Sequence, residues 1–195
     1  MTRAEKRRQK KMSAKAAKKA PLKQVAPAHQ TLPIQQAIDL ALQHHIEGRL
    51  PEAESIYRQI LTADPNQPVA LHSLGMIANQ LGKNNVAIDL IRKALAIKHR
   101  YPEAHINLGL IYHELGKLDE AVASYHKALA INSDFAEAHF NLGNALFDLK
   151  KFEDAIVSYH KTLSINPEIV DAYVNLGNAF FGLGKLDEAI ANYHK

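Results

Sequence analysis

The chain has no cysteine and no tryptophan among its 195 residues, and no apolar run approaches the roughly 18 residues that a membrane-spanning helix needs. Without cysteine there is no disulfide framework, no thiolate metal site and no thiol nucleophile, a composition that suits a reducing, cytoplasmic setting. The basic start is not followed by the apolar stretch of a secretion signal. What is present is ordinary for a folded protein: 47% of residues are hydrophobic, which excludes wholesale disorder. The net charge of +4 and a pI near 9.2 invite a nucleic-acid reading until the charge is divided by region. Residues 1–31 hold ten Lys or Arg against one Glu, whereas the remaining 164 residues carry 14 basic and 19 acidic side chains.

The high pI therefore belongs to the tail. Large apolar residues are sparse there and like charges repel, so the segment is expected to be a disordered basic tail, with a transient helix up to Ala20 stopped by Pro21. Besides a plain solvated tail it admits three roles: binding RNA or ribosomes, touching an anionic lipid surface, and nuclear import.

The rest of the chain repeats itself. A shift of 34 residues aligns five units beginning at Ile34, Pro68, Pro102, Ala136 and Val170. Counting each start as position 1, position 7 is Leu40, Leu74, Leu108, Leu142 and Leu176; position 8 is Ala41, Gly75, Gly109, Gly143 and Gly177. Position 20 is alanine throughout, from Ala53 to Ala189, and position 24 is Tyr57, Ile91, Tyr125, Tyr159 and Tyr193. Mostly small or apolar residues at positions 4, 7, 8 and 11 mark one face of a first helix; positions 17, 20, 24, 27, 28 and 30 mark the stripe of a second. Glycine at position 15 ends the first helix in a left-handed conformation, and Lys150 replaces it once, at a strain of about 1–2 kcal/mol. The small residue at position 8 is expected to meet the alanine at 20, with the aromatic at 24 filling space toward the neighbouring repeat.

These positions resemble the tetratricopeptide repeat over residues 34–195, with His105 and His139 standing where that family often has tryptophan. The resemblance implies an all-α, right-handed superhelical solenoid of hairpins 34–67, 68–101, 102–135 and 136–169, with a truncated fifth over 170–195, and a concave side lined by first helices. The chain stops at Lys195 inside a second helix. The expectation is a fragment of a longer protein, with an apolar face at 186–193 open to self-association.

The side of each first helix opposite its stripe carries Asp39, Ser73, Asn107, Asn141 and Asn175 at position 6, with Asn144 and Asn178 at position 9. An amide offers donor and acceptor together, which matches an extended backbone without reading its side chains. First helices roughly 10 Å apart would set one asparagine per three residues of peptide. The competing reading is that these amides only bond the adjacent repeat or water. Phe140, Phe147 and Phe181 make the groove sticky, and Glu114 and Asp148, with Glu103, Glu137 and Asp171, make it acidic, so a basic or neutral peptide is expected, the chain's own tail included. The carboxylate clamp of chaperone-binding repeats needs Lys or Arg at positions 2 and 5, and none is there.

The ladder is similar to that in the repeat arm of bacterial O-linked N-acetylglucosamine transferase-like proteins, carried by LHSLGMIANQLGKNNVAIDLIRKALAI and PEAHINLGLIYHELGKLDEA. That resemblance implies an alternative role as the substrate-docking arm of a larger glycosyltransferase; similar arrays also precede sulfotransferase or methyltransferase domains. The chain itself reads as a protein-interaction scaffold and not an enzyme, with no cofactor, metal or small-molecule substrate. Its histidines fall at repeat positions, His44 and His45 lack a third ligand, and GLGK at 182–185 is an interhelical turn rather than a phosphate loop.

Overall fold

The computed structural model describes residues 33–195; the basic segment 1–31 lies outside the described residues. Among the described residues ten helices form five antiparallel hairpins: α1 (Ile34–Ile46) with α2 (Leu50–Ala63), α3 (Pro68–Gln80) with α4 (Asn84–Ile97), α5 (Pro102–Glu114) with α6 (Leu118–Ile131), α7 (Ala136–Asp148) with α8 (Phe152–Ile165), and α9 (Val170–Gly182) with α10 (Leu186–Tyr193). Each second helix packs on the next first helix, and first helices touch their successors, so the described unit is an all-α helical solenoid.

Local chemistry sets the boundaries. Pro68 and Pro102 occupy the first helical position, where a missing N–H costs nothing, and Gln67 Oε1 accepts from Ala70 N at 2.9 Å to cap α3. Acidic pairs such as Asp119 with Glu120 and Glu153 with Asp154 sit in first turns, where the helix dipole favours them. The tight turns place Gly48, Gly82, Gly116 and Gly184 at φ +70 to +75°. Lys150 adopts φ +62° at the equivalent place and keeps the same closing bonds, Lys150 N to Phe147 O at 2.8 Å and Lys151 N to Leu146 O at 2.9 Å. The strain expected of a side chain there, about 1–2 kcal/mol, is therefore carried by the fold.

The core is built from the repeat positions. The alanines at position 20 are buried, as are Tyr57, Ile91, Tyr125 and Tyr159 at position 24. Packing corrects one expectation. The glycine at position 8 makes room chiefly for the large residue at 24 of its own hairpin: a Cβ on Gly109 would lie 2.5 Å from Tyr125 Cε1, and one on Gly143 2.6 Å from Tyr159 Cε1. At Gly75, opposite the smaller Ile91, the backbone at Ala87 also comes within 3.2 Å. The ring thus bridges the two helices of one repeat, because a tyrosine pointing back along its helix reaches the partner helix first. At the far end Leu186, Ile190 and Tyr193 are exposed, although Ala189 is buried.

Candidate functional site

Successive first helices lie side by side, and their position-6, position-9 and position-13 side chains share one face. Three cross-repeat bonds on this face share an offset of 35 residues, one repeat plus one. Asn107 Nδ2 meets His72 Nε2 at 2.8 Å, His113 Nε2 meets Asp148 Oδ2 at 2.8 Å, and Asn79 Nδ2 donates to Glu114 Oε2 at 3.4 Å. The same offset explains the exception. Asn141 would look back to Ile106, which offers no polar group, and among the described residues it makes no side-chain hydrogen bond.

Asn144 and Asn178, on the line of position 9, have a second task. Tyr159 Oη donates to Asn144 Oδ1 at 2.9 Å, and Tyr193 Oη donates to Asn178 Oδ1 at 2.8 Å. Asn175 Nδ2 also donates to Asn144 Oδ1, at 2.9 Å, so that one oxygen receives both a tyrosine of its own hairpin and an amide of the next. Burial, then the Asp148 charge, raises the Tyr159 hydroxyl above its ordinary range and keeps its proton available for donation. Tyr125 is raised by burial, then by Glu114 and Glu137, but faces Leu110 where repeats 4 and 5 have asparagine, and its Oη is buried without a partner.

One substitution is therefore expected to act with opposite sign in adjacent repeats. Tyr125→Phe removes an orphaned hydroxyl and should stabilise by about 1 kcal/mol, whereas Tyr159→Phe removes a formed bond to Asn144 and should destabilise by about 1 kcal/mol. Urea midpoints of the two variants check this, and equal signs would refute the pairing.

Five of the residues expected to form a site converge on one shallow depression of about 310 Å³: Asn144, Phe147, Asp148, Asn175 and Asn178, together with His113 and Tyr159. After their bonds among the described residues, Asn144 Nδ2, Asn175 Oδ1 and Asn178 Nδ2 remain unspent, and Asp148 keeps one carboxylate oxygen. The others are dispersed. Asn107 and Glu114 lie one repeat earlier, bonded as above, and Phe140 is half-buried with its ring 6.2 Å from that of Tyr159. Phe147 packs on Phe152 at 5.3 Å, and Phe181 is 63% exposed.

His113 and Tyr159 were not expected at this site. His113 is at position 12, on the flank of the groove, and its counterpart becomes visible only once the 35-residue offset is known. His72 was likewise missed: buried at position 5, it bonds Tyr101 Oη through Nδ1 at 3.0 Å and Asn107 through Nε2. Among the described residues no cluster of three or more metal-ligating side chains forms, and His44 Nδ1 accepts from Arg49 Nε at 2.7 Å. No helix among the described residues is long and apolar enough to cross a membrane.

Family models of the tetratricopeptide repeat match residues 35–59, 75–116, 109–150, 136–169 and 170–195. No curated protein matches the chain. Among solved structures, a crystal structure of MamA protein is 28% identical with a TM-score of 0.73, over 83% of this chain and 88% of that one. Pseudomonas aeruginosa PilF is similar at 21% identity and a TM-score of 0.76, over 83% and 73% of the two chains. A thermophilic TPR protein of Thermus thermophilus, TTC0263, is similar at 24% identity and 0.66, over 83% and 89%. The last two likenesses concern the fold alone. With matches spanning most of its repeats and the hairpin stack they require, the chain belongs to the tetratricopeptide-repeat family.

Proposed function

We propose that the repeat unit is a protein-binding module that holds an extended, basic or neutral peptide along its first helices, centred on the depression between α5, α7 and α9. The observation that carries this reading is the convergence of unspent amide donors and acceptors with Phe147 and a half-free Asp148 at one place. Amides pair with the N–H and C=O of any extended chain, and the ring offers an apolar or cation-attracting surface. Asp148, 48% exposed and bonded to His113, favours a Lys or Arg at the centre of the ligand. The amides are partly consumed within the repeats, so the groove offers a few fixed points rather than a full ladder.

The alternative, an arm presenting substrates to a transferase domain, would use the same groove and rests on sequence resemblance alone.

Fluorescence polarisation with labelled Ala- and Lys-rich peptides of about ten residues tests the proposal on the full chain. Asp148→Asn and Asn175→Ala are each expected to weaken binding about tenfold, the loss of one hydrogen bond to a charged or desolvated partner. Peptide affinity unchanged in both variants would overturn it.

A further inference from the structure

A second cleft, of about 390 Å³, lies on the opposite side of α5 from Asn107 and Glu114, where α4 and α6 part over it. Arg92 enters from α4, His105 and Tyr112 form the floor from α5, and Glu120 and Lys127 come from α6. Arg92 Nη2 donates to Tyr112 Oη at 2.6 Å, with its guanidinium carbon 5.9 Å from the ring centroid. Because Tyr112 accepts there, its own O–H remains to donate, and the rest of the guanidinium fork has no partner among the described residues. Neither Arg92 nor Lys127 forms an ion pair among the described residues.

The repeat pattern does not account for this arrangement. Arg58, at the position of Arg92 one repeat earlier, is paired with Glu54 at 2.7 Å, but the residue four before Arg92 is Ile88. One repeat later, Arg92 is replaced by His126 and Tyr112 by Leu146. At the floor of this cleft His105 Nδ1 is buried without a partner among the described residues, flanked by two cations and one acid.

We propose that the cleft binds an oxyanion, a carboxylate or phosphate on a small stem, held by Arg92, the Tyr112 hydroxyl and Lys127. The apolar walls at Leu95 and Leu108 accept the stem, and Glu120 limits the site to a single group by leaving two cations against one acid. His105 reports occupancy. Burial first, then the charge of Lys127, lowers its pKa, with a smaller opposing bond to the His99 backbone, and an anion beside Lys127 offsets that repulsion.

The experiment is an NMR titration of the full chain with inorganic phosphate and, separately, N-acetylglutamate, at fixed ionic strength. Because residues 1–31 are themselves basic, the signal is taken at the His105 ring. Saturable shifts are expected, with the His105 midpoint rising as the anion offsets the Lys127 charge. Saturation with either probe supports the site, and the probe that works identifies phosphate or carboxylate as the source. Arg92→Gln and Lys127→Gln should each weaken binding at least about fivefold. Lys127→Gln keeps the test valid if the Arg92 variant folds poorly, since Lys127 is exposed and has no ion-pair partner among the described residues. No saturation with either probe up to about 50 mM, or undiminished affinity in Lys127→Gln, would overturn the proposal.

Discussion

Acidification from pH 7 to pH 4 is expected to cost the folded unit about 3 kcal/mol through His72 alone. Its ring is buried between Tyr101, 4.9 Å away in an edge-on contact, and Asn107, and burial holds its pKa down at about 4, against 6.5 when exposed. Glu103 pulls the value up, and His45 and Lys98 push it down. A group whose folded pKa lies below its unfolded one binds its proton more readily when unfolded. The stabilisation is thus complete above about pH 6.5 and drains away as pH falls to about 4. The neutral ring is also what the hydrogen bonds require, with Nε2 accepting from Asn107 Nδ2 and Nδ1–H donating to Tyr101 Oη. His72→Gln preserves a donor and an acceptor but does not titrate. Urea midpoints measured between pH 7 and 4 should fall more steeply for the native chain than for this variant, and parallel curves would refute the assignment.

Gly143→Ala is expected to destabilise by about 1–2 kcal/mol, although alanine is the better helix former by about 1 kcal/mol. The new methyl would lie 2.6 Å from Tyr159 Cε1 and 2.7 Å from Cδ1, and the ring cannot retreat: Phe140 flanks it and Asn144 holds its hydroxyl at 2.9 Å. Repeat 1 shows what the methyl requires, since Ala41 there coexists with Tyr57, whose Oη has no asparagine to hold it, position 9 being Leu42. Among the described residues that hairpin packs on one neighbour, whereas α7 and α8 are held from both sides. Hydrogen exchange should locate the weakening in α7 and α8, and a variant as stable as the native chain would show that the ring yields.

The hairpins could be read from the sequence because every repeat puts the same position in the same environment, so leucine at 7, alanine at 20 and the turn at 15 recur five times over. The site was legible only as a face. Which amide bonds which group depends on the shift between neighbouring hairpins, and a 34-residue period is blind to it. His113 finds Asp148 and His72 finds Asn107 because the stack advances one residue beyond the repeat. Asn144 reads from its position as facing a ligand, but Tyr159 reaches it first. Arg92 and Tyr112 look unremarkable singly and meet only across two helices. The missing acid at Ile88 is plain in the sequence, yet it acquires meaning only when Arg58 with Glu54 is known to be a pair.

In a linear stack, unfolding advances from the ends and halts wherever a junction is strong enough to resist the next step. The oxygen of Asn144 belongs to both kinds of strength at once, tying α7 to α8 within a hairpin and α7 to α9 across a junction. Severing it therefore weakens repeat 4 and its coupling to repeat 5 together, so fraying that begins at α10 should run inward through α7 before it meets resistance. A partner that spans α7 and α9 would act as a brake on that fraying, and binding would register as cooperativity between repeats as well as affinity.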